Sequence, residues 1–123
     1  MNKKERPILS DLVNDGTSEL EKFQNEIIRP VIKMQHDVLI ASFKQYLQKR
    51  KIDFVALTDQ KKRSRISSIY KTDNNYKNLV LGFIIGHFSK DEFLFYGDHT
   101  SEVHRRILQI ITQRIKDSLA EII

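Results

Sequence analysis

Four cations stand within five residues at Lys61-Lys62-Arg63-Ser64-Arg65. With Lys49, Arg50 and Lys51 they make residues 49–65 the place where charge is concentrated. The window from Lys44 to Arg65 holds eight basic and two acidic residues, against a formal charge of +5 for all 123. Such a cluster binds anions: Lys and Arg neutralise phosphate oxygens, and the free amides of a helix N-terminus add donors of matching sign. Thr58-Asp59-Gln60 is a helix-start pattern, so the four cations fall where the helix dipole disfavours them. A bound phosphate would relieve that repulsion. The plainer alternative is a solvated basic face. No helix-turn-helix spacing and no RNA-binding motif with interleaved aromatics is present. Any nucleic-acid contact is therefore expected to run through the phosphate backbone and to weaken with salt.

His36, His87, His99 and His104 are the other residues able to catalyse or ligate. Helical metal sites set ligands three or four apart, as in Glu-x-x-His or His-x-x-x-His, and neither pattern occurs. The chain has no Cys, which excludes thiolate ligands, disulfides and Cys nucleophiles. Glycines at 16, 82, 86 and 97 cannot be arranged into a Walker or Rossmann phosphate loop, and no Ser sits in a nucleophile elbow. No metal and no cofactor is expected. His87 within reach of Tyr96 or Asp98 would form a small ligand or proton-transfer pocket. The competing reading is a hydrogen-bonded core histidine.

These residues are positioned by helices. Leu20, Phe23, Ile27, Val31, Met34 and Val38 recur at spacings of three and four, one face of a long helix opened by a Ser18-x-x-Glu21 capping box, and Leu39, Phe43, Tyr46 and Leu47 widen the stripe toward its C-terminal half. Before it, Ile8, Leu9, Leu12 and Val13 suggest one packed turn in an otherwise irregular segment 1–16. An uninterrupted helix over 18–51 would be about 50 Å long, against a radius of gyration of ~14 Å for a compact chain of this size. Pro30 lies inside it, where its missing donor and ring clash predict a kink. Further helices are expected at 59–72, with a thin stripe of Ile66, Ile69 and Tyr70, and at 75–88, apolar on most sides and so central. Gly82 and Gly86 there would admit a neighbouring backbone. Ser89-x-x-Glu92 opens a short helix stopped by Gly97-Asp98, and a last helix over 99–121, capped by Asp98 or Thr100, buries Val103, Ile107, Ile110, Ile111, Ile115 and Leu119. A β-hairpin over 79–95 is the rival reading, but strict alternation is absent. The expected fold is all-α: a single-domain, elongated bundle of four to five helices, the long one kinked near Pro30.

Scarce Gly and Pro argue against an all-β fold. The absence of Cys, of an apolar signal region and of a run of ~20 apolar residues points to a soluble cytoplasmic protein with no membrane span. Asn75-Tyr76-Lys77-Asn78-Leu79, Gly82-Phe83-Ile84-Ile85-Gly86-His87-Phe88, Phe93-Leu94-Phe95-Tyr96 and the opening Lys4-Glu5-Arg6-Pro7-Ile8-Leu9-Ser10-Asp11-Leu12 resemble a group of short proteins from Bacteroidetes-type bacteria, over nearly the whole chain. Some of that group carry a glyoxalase label, which implies a His/Glu metal site on strands of paired βαβββ modules. This sequence has neither the alternating strands nor the ligand pattern, so no functional residue is carried over.

Three functions remain open. A non-enzymatic helical module would self-associate, as a homodimer for instance, or dock on a protein partner. A nucleic-acid or anion-binding accessory protein would use Lys49, Arg50, Lys51, Lys61, Lys62, Arg63 and Arg65. A small-molecule site would centre on His87 and Tyr96.

Overall fold

A computed structural model describes the backbone from Asp15 and the side chains from Glu19 through Ile123. The turn expected over 8–13 lies outside the described residues; the helix expected to open at Ser18 already runs from Asp15, so the backbone of Ser18 is inside it rather than at its cap. The elements are α1 (Asp15–Phe23), a π turn (Gln24–Ile28), α2 (Arg29–Met34), α3 (His36–Lys49), α4 (Asp59–Thr72), α5 (Asn74–Ile85), α6 (Lys90–Asp98), α7 (Thr100–Lys116) and a 3₁₀ turn (Leu119–Glu121). The fold is all-α, and among the described residues there is no strand. The hairpin alternative is not what 79–95 forms. Counting α1, the π turn and α2 as one, there are six helices among the described residues, slightly more than expected.

The expected interruption of the long helix falls just before Pro30. Pro30 sits in the first turn of α2, where its missing N–H is least harmful. The turn before it widens, so that the Arg29 N–H bonds five residues back to the Gln24 carbonyl. A second break falls at Gln35, whose backbone leaves helical values at φ −93° and ψ 13°.

The wide turn changes which residues face inward. Phe23 is buried, but the next buried positions are Ile28 and Ile32, then Leu39, Ile40, Phe43 and Leu47. Ile27 and Val31 are only partly buried. Met34 and Val38, expected on the core stripe, are 59% and 43% exposed. One extra residue per turn rotates the following helix by about 100°, which moves the stripe along by one position.

The core is one cluster. Val103, Ile107, Ile111 and Ile115, four apart on α7, are all fully buried. Each buried side chain of this size contributes about 1.5–3 kcal/mol. Phe43 of α3 meets Phe54 edge-on at 5.7 Å and stacks on Tyr70 of α4 at 5.8 Å. Phe23 of α1 stacks on Phe95 of α6 at 4.6 Å. Ile66, Ile69 and Tyr70 are buried as their stripe predicts.

Helix ends follow the sequence in part. Thr58 accepts from the Lys61 amide, Asp73 from the Tyr76 amide, and Ser89 with Glu92 forms the full capping box. The start of α7 differs: His99 holds the cap position without a side-chain bond. Gly97 and Asp98 belong to α6, and Thr100 Oγ1 donates back to the Gly97 carbonyl at 3.2 Å.

Candidate functional site

The basic segment divides between two elements and the loop joining them. At the end of α3 the Lys51 N–H bonds the Gln48 carbonyl and the Ile52 N–H bonds the Leu47 carbonyl. This reverse turn requires a left-handed residue, usually Gly. Lys51 takes that role, with φ 56°. The loop returns Phe54 to the core, and Thr58 then starts α4. Lys49, Arg50, Lys51, Lys61, Arg63 and Arg65 are exposed. Lys62 is half-buried, its ammonium 5.7 Å from the Phe54 ring centre.

Arg50 and Arg65 converge on one open, polar cleft of about 580 Å³, lined also by Tyr46, Thr72, Asp73 and Asn75. Asp73 organises it. Its carboxylate accepts from the Tyr46 hydroxyl at 2.7 Å, the Arg50 guanidinium at 3.0 Å and the Tyr76 amide at 3.1 Å. Those donors, Tyr46 foremost, hold the Asp73 carboxyl below its ordinary range. Arg50 also lies 4.2 Å over the Tyr46 ring. Burial, then the Asp73 carboxylate, raises the Tyr46 phenol. The cleft thus holds two guanidinium groups, one already paired; among the described residues Arg65 has no ion-pair partner.

Behind it lies a buried hydroxyl chain. Ser42 donates to the Leu39 carbonyl at 3.0 Å, so its oxygen accepts from Tyr76 at 3.0 Å, which accepts from Tyr70 at 3.2 Å. Burial raises both tyrosines above the ordinary phenol range.

His87 and Tyr96 bond to different partners. His87 follows the end of α5, exposed, with its Nε2 2.9 Å from Gln35 Nε2. The Tyr96 hydroxyl is 2.6 Å from His104 Nε2, and burial lowers the His104 imidazole. The expected His87–Tyr96 pairing is corrected: α5 ends at Ile85, which carries His87 past the apolar helix and toward α3.

Two arrangements were not legible in the sequence. Arg114 Nη1 is 3.1 Å from His36 Nδ1, and His36 Nε2 faces Glu121 Oε1 at 3.0 Å. These partners are 78 and 85 residues away. Beside them a cleft of about 490 Å³ is lined by Gln24 of the π turn, Arg29, Gln113 and Asp117.

The outer face of α3 and α5 is the largest departure from expectation. Gln35 bonds His87 and Ser42 bonds Tyr76, so the two helices run antiparallel. Between those bonds, beside the seam, Val38 and Leu79 stand 43% and 51% exposed. Gly82 and Gly86 are exposed on the same side of α5. Among the described residues nothing occupies the space a Cβ on Gly82 would take, while one on Gly86 would meet the Gly82 carbonyl. The expected close backbone neighbour is absent from the described residues, and α5 is not enclosed.

No protein-family model, curated protein or solved structure matches the chain in comparison. No group of three His, Asp or Glu among the described residues is placed to hold a metal, and no described helix is long and apolar enough to cross a membrane. The fold is that of an all-α single-domain protein, and among its described residues Met34, Val38 and Leu79 stand exposed on the outer side of α2, α3 and α5.

Proposed function

We propose that the chain is a non-enzymatic helical interaction module that docks on a protein partner, or on itself, through the outer face of α3 and α5. One observation carries this. Gly82 stands exposed in the last turn of α5 with no atom of the described residues near its Cβ position, on the side of the helix that bears exposed Leu79, while Val38 and Met34 are exposed on α3 and α2. A glycine there costs about 1 kcal/mol of helix stability relative to Ala, and no contact within the described residues offsets it. Small residues beside apolar ones let a second helix approach closely. A bacterial cytoplasmic setting, drawn from the Cys-free composition and the resemblance, suits such a module.

Hydroxyl-radical footprinting tests the reading. Met34, Val38 and Leu79 should be protected in intact cells and labelled in the dilute purified chain, with Phe93 and Leu94 of α6 labelled in both. Equal labelling of the α3/α5 face in the two settings rejects it.

A second reading, anion or nucleic-acid binding by residues 49–65, is favoured by Lys51. A Lys in left-handed backbone, where Gly is cheaper, is strain kept beside a cleft that Arg50 and Arg65 share. Binding to a phosphate-backbone polymer should fall steeply with salt and be lost in Lys62→Glu/Arg63→Glu. Unchanged binding in that variant excludes the segment.

A further inference from the structure

We infer that the occupant of this face is a second copy of the chain, its α3 packed antiparallel on the first about a two-fold axis beside Ala41. This deepens the interaction reading and rests on it.

The outer side of the α2–α3 rod has the spacing of a helix-pairing seam. Met34, Val38, Ala41, Gln45 and Gln48 follow at intervals of four, three, four and three, and all are exposed. The seam is uncharged and has its smallest side chain at the centre, where two helix axes would come closest. Asp37 and Lys44 flank it on the edge away from α5, seven residues apart and both exposed. Neither belongs to an ion pair between described residues. The opposite flank, Gln35 and Ser42, is used within the chain against His87 and Tyr76.

Charge then fixes the direction. A two-fold axis midway between Ile40 and Ala41 leaves Asp37 and Lys44 equally far from the centre on either side. Antiparallel pairing therefore sets Asp37 of each copy against Lys44 of the other, two contacts for one symmetry operation. Parallel pairing would set Asp37 on Asp37 and Lys44 on Lys44. It would also bring both Lys49-Arg50-Lys51 ends together in a chain of formal charge +5, which antiparallel pairing holds apart. Gly82 and Gly86, bare of side chains beside the seam, leave room for the second copy to settle against α5.

Charge exchange at the two positions, read by equilibrium sedimentation, is the test. The wild type should approach twice 14.5 kDa with rising concentration. Asp37→Lys alone and Lys44→Asp alone should each weaken self-association about ten-fold or more, through two lost and two repulsive contacts. An equimolar mixture of the two single variants should regain dimer, because each then meets its opposite charge at both contacts. Both positions carry exposed side chains, and helical circular dichroism should be unchanged. A wild type that stays monomeric overturns the inference. If footprinting still shows the face covered in cells, the docking reading survives with a different partner. A dimer indifferent to all three charge arrangements overturns the pairing.

Discussion

Phe23 and Ile28 are five residues apart, yet both are buried in the core, at 7% and 0% exposure. An α-helix brings residues three or four apart to one face; five apart is the spacing of a π turn. The Arg29 N–H bond to the Gln24 carbonyl supplies it. One widened turn just ahead of Pro30 therefore decides which side of the next two helices is buried, and sends Met34 and Val38 outward.

The shift in phase is measurable by mutation. Ile28→Ala and Ile32→Ala should each cost about 2–5 kcal/mol, the range for fully buried aliphatic truncations. Their neighbours Ile27→Ala and Val31→Ala should each cost under about 1.5 kcal/mol. Urea unfolding monitored by circular dichroism reads both pairs. The reverse order would mean an unbroken α-helix through Pro30.

The fold class was legible because the helix period dominates from Thr58 onward. Thr58 and Ser89 are N-cap residues whose types announce their role, and α7 follows its stripe. Leu39, Phe43 and Leu47 were legible as core, but the register across Pro30 was not. Leu20, Phe23, Ile27, Val31, Met34 and Val38 fit an ideal helix so well that nothing in their spacing marks a five-residue step. Pro30 signals a disturbance without saying whether the helix bends or widens. Of the candidate site residues, Arg50 and Arg65 do share a cleft, but the carboxylate that organises it, Asp73, reads in sequence only as a junction. His87 and Tyr96 failed as a pair because α5 stops three residues early. His36 finds its partners so far along the chain that no local pattern could name them.

Lys51 should be improvable. With φ 56° it occupies backbone that costs a side-chain-bearing residue roughly 1 kcal/mol. Lys51→Gly is expected to raise stability by about that amount in denaturant unfolding, the reverse-turn bonds to Leu47 and Gln48 remaining. A loss of stability would mean that the Lys side chain makes a contact that matters more than the strain.

The buried phenols set an upper pH limit. The folded state holds the protons of Tyr70 and Tyr76 beyond the ordinary phenol value of 10.0, so it binds more protons than the unfolded chain at alkaline pH. Their contribution is complete below that value and is lost as pH rises past it. Phenolate absorbance from these two should appear only together with loss of helical signal. Tyr76→Phe, which deprives both Ser42 and Tyr70 of a partner, should cost about 1–3 kcal/mol. Full phenolate titration with the helices intact would contradict the hydroxyl chain.

Gly82→Ala separates stability from docking. The added methyl meets no atom of the described residues within 4 Å, so the isolated fold should gain about 0.5–1 kcal/mol, read by urea unfolding at low protein concentration. Self-association at high concentration should weaken in the same variant. A destabilised fold would mean that Gly82 serves the chain's own packing.

Photo-crosslinking from position 79 in living cells tests most directly whether the α3/α5 face is a binding surface. A photoreactive phenylalanine analogue in place of Leu79 should give an adduct of discrete mass on irradiation, and the same analogue in place of Ser101, exposed on α7, should not. No adduct specific to position 79, or equal adducts from both positions, would contradict the account.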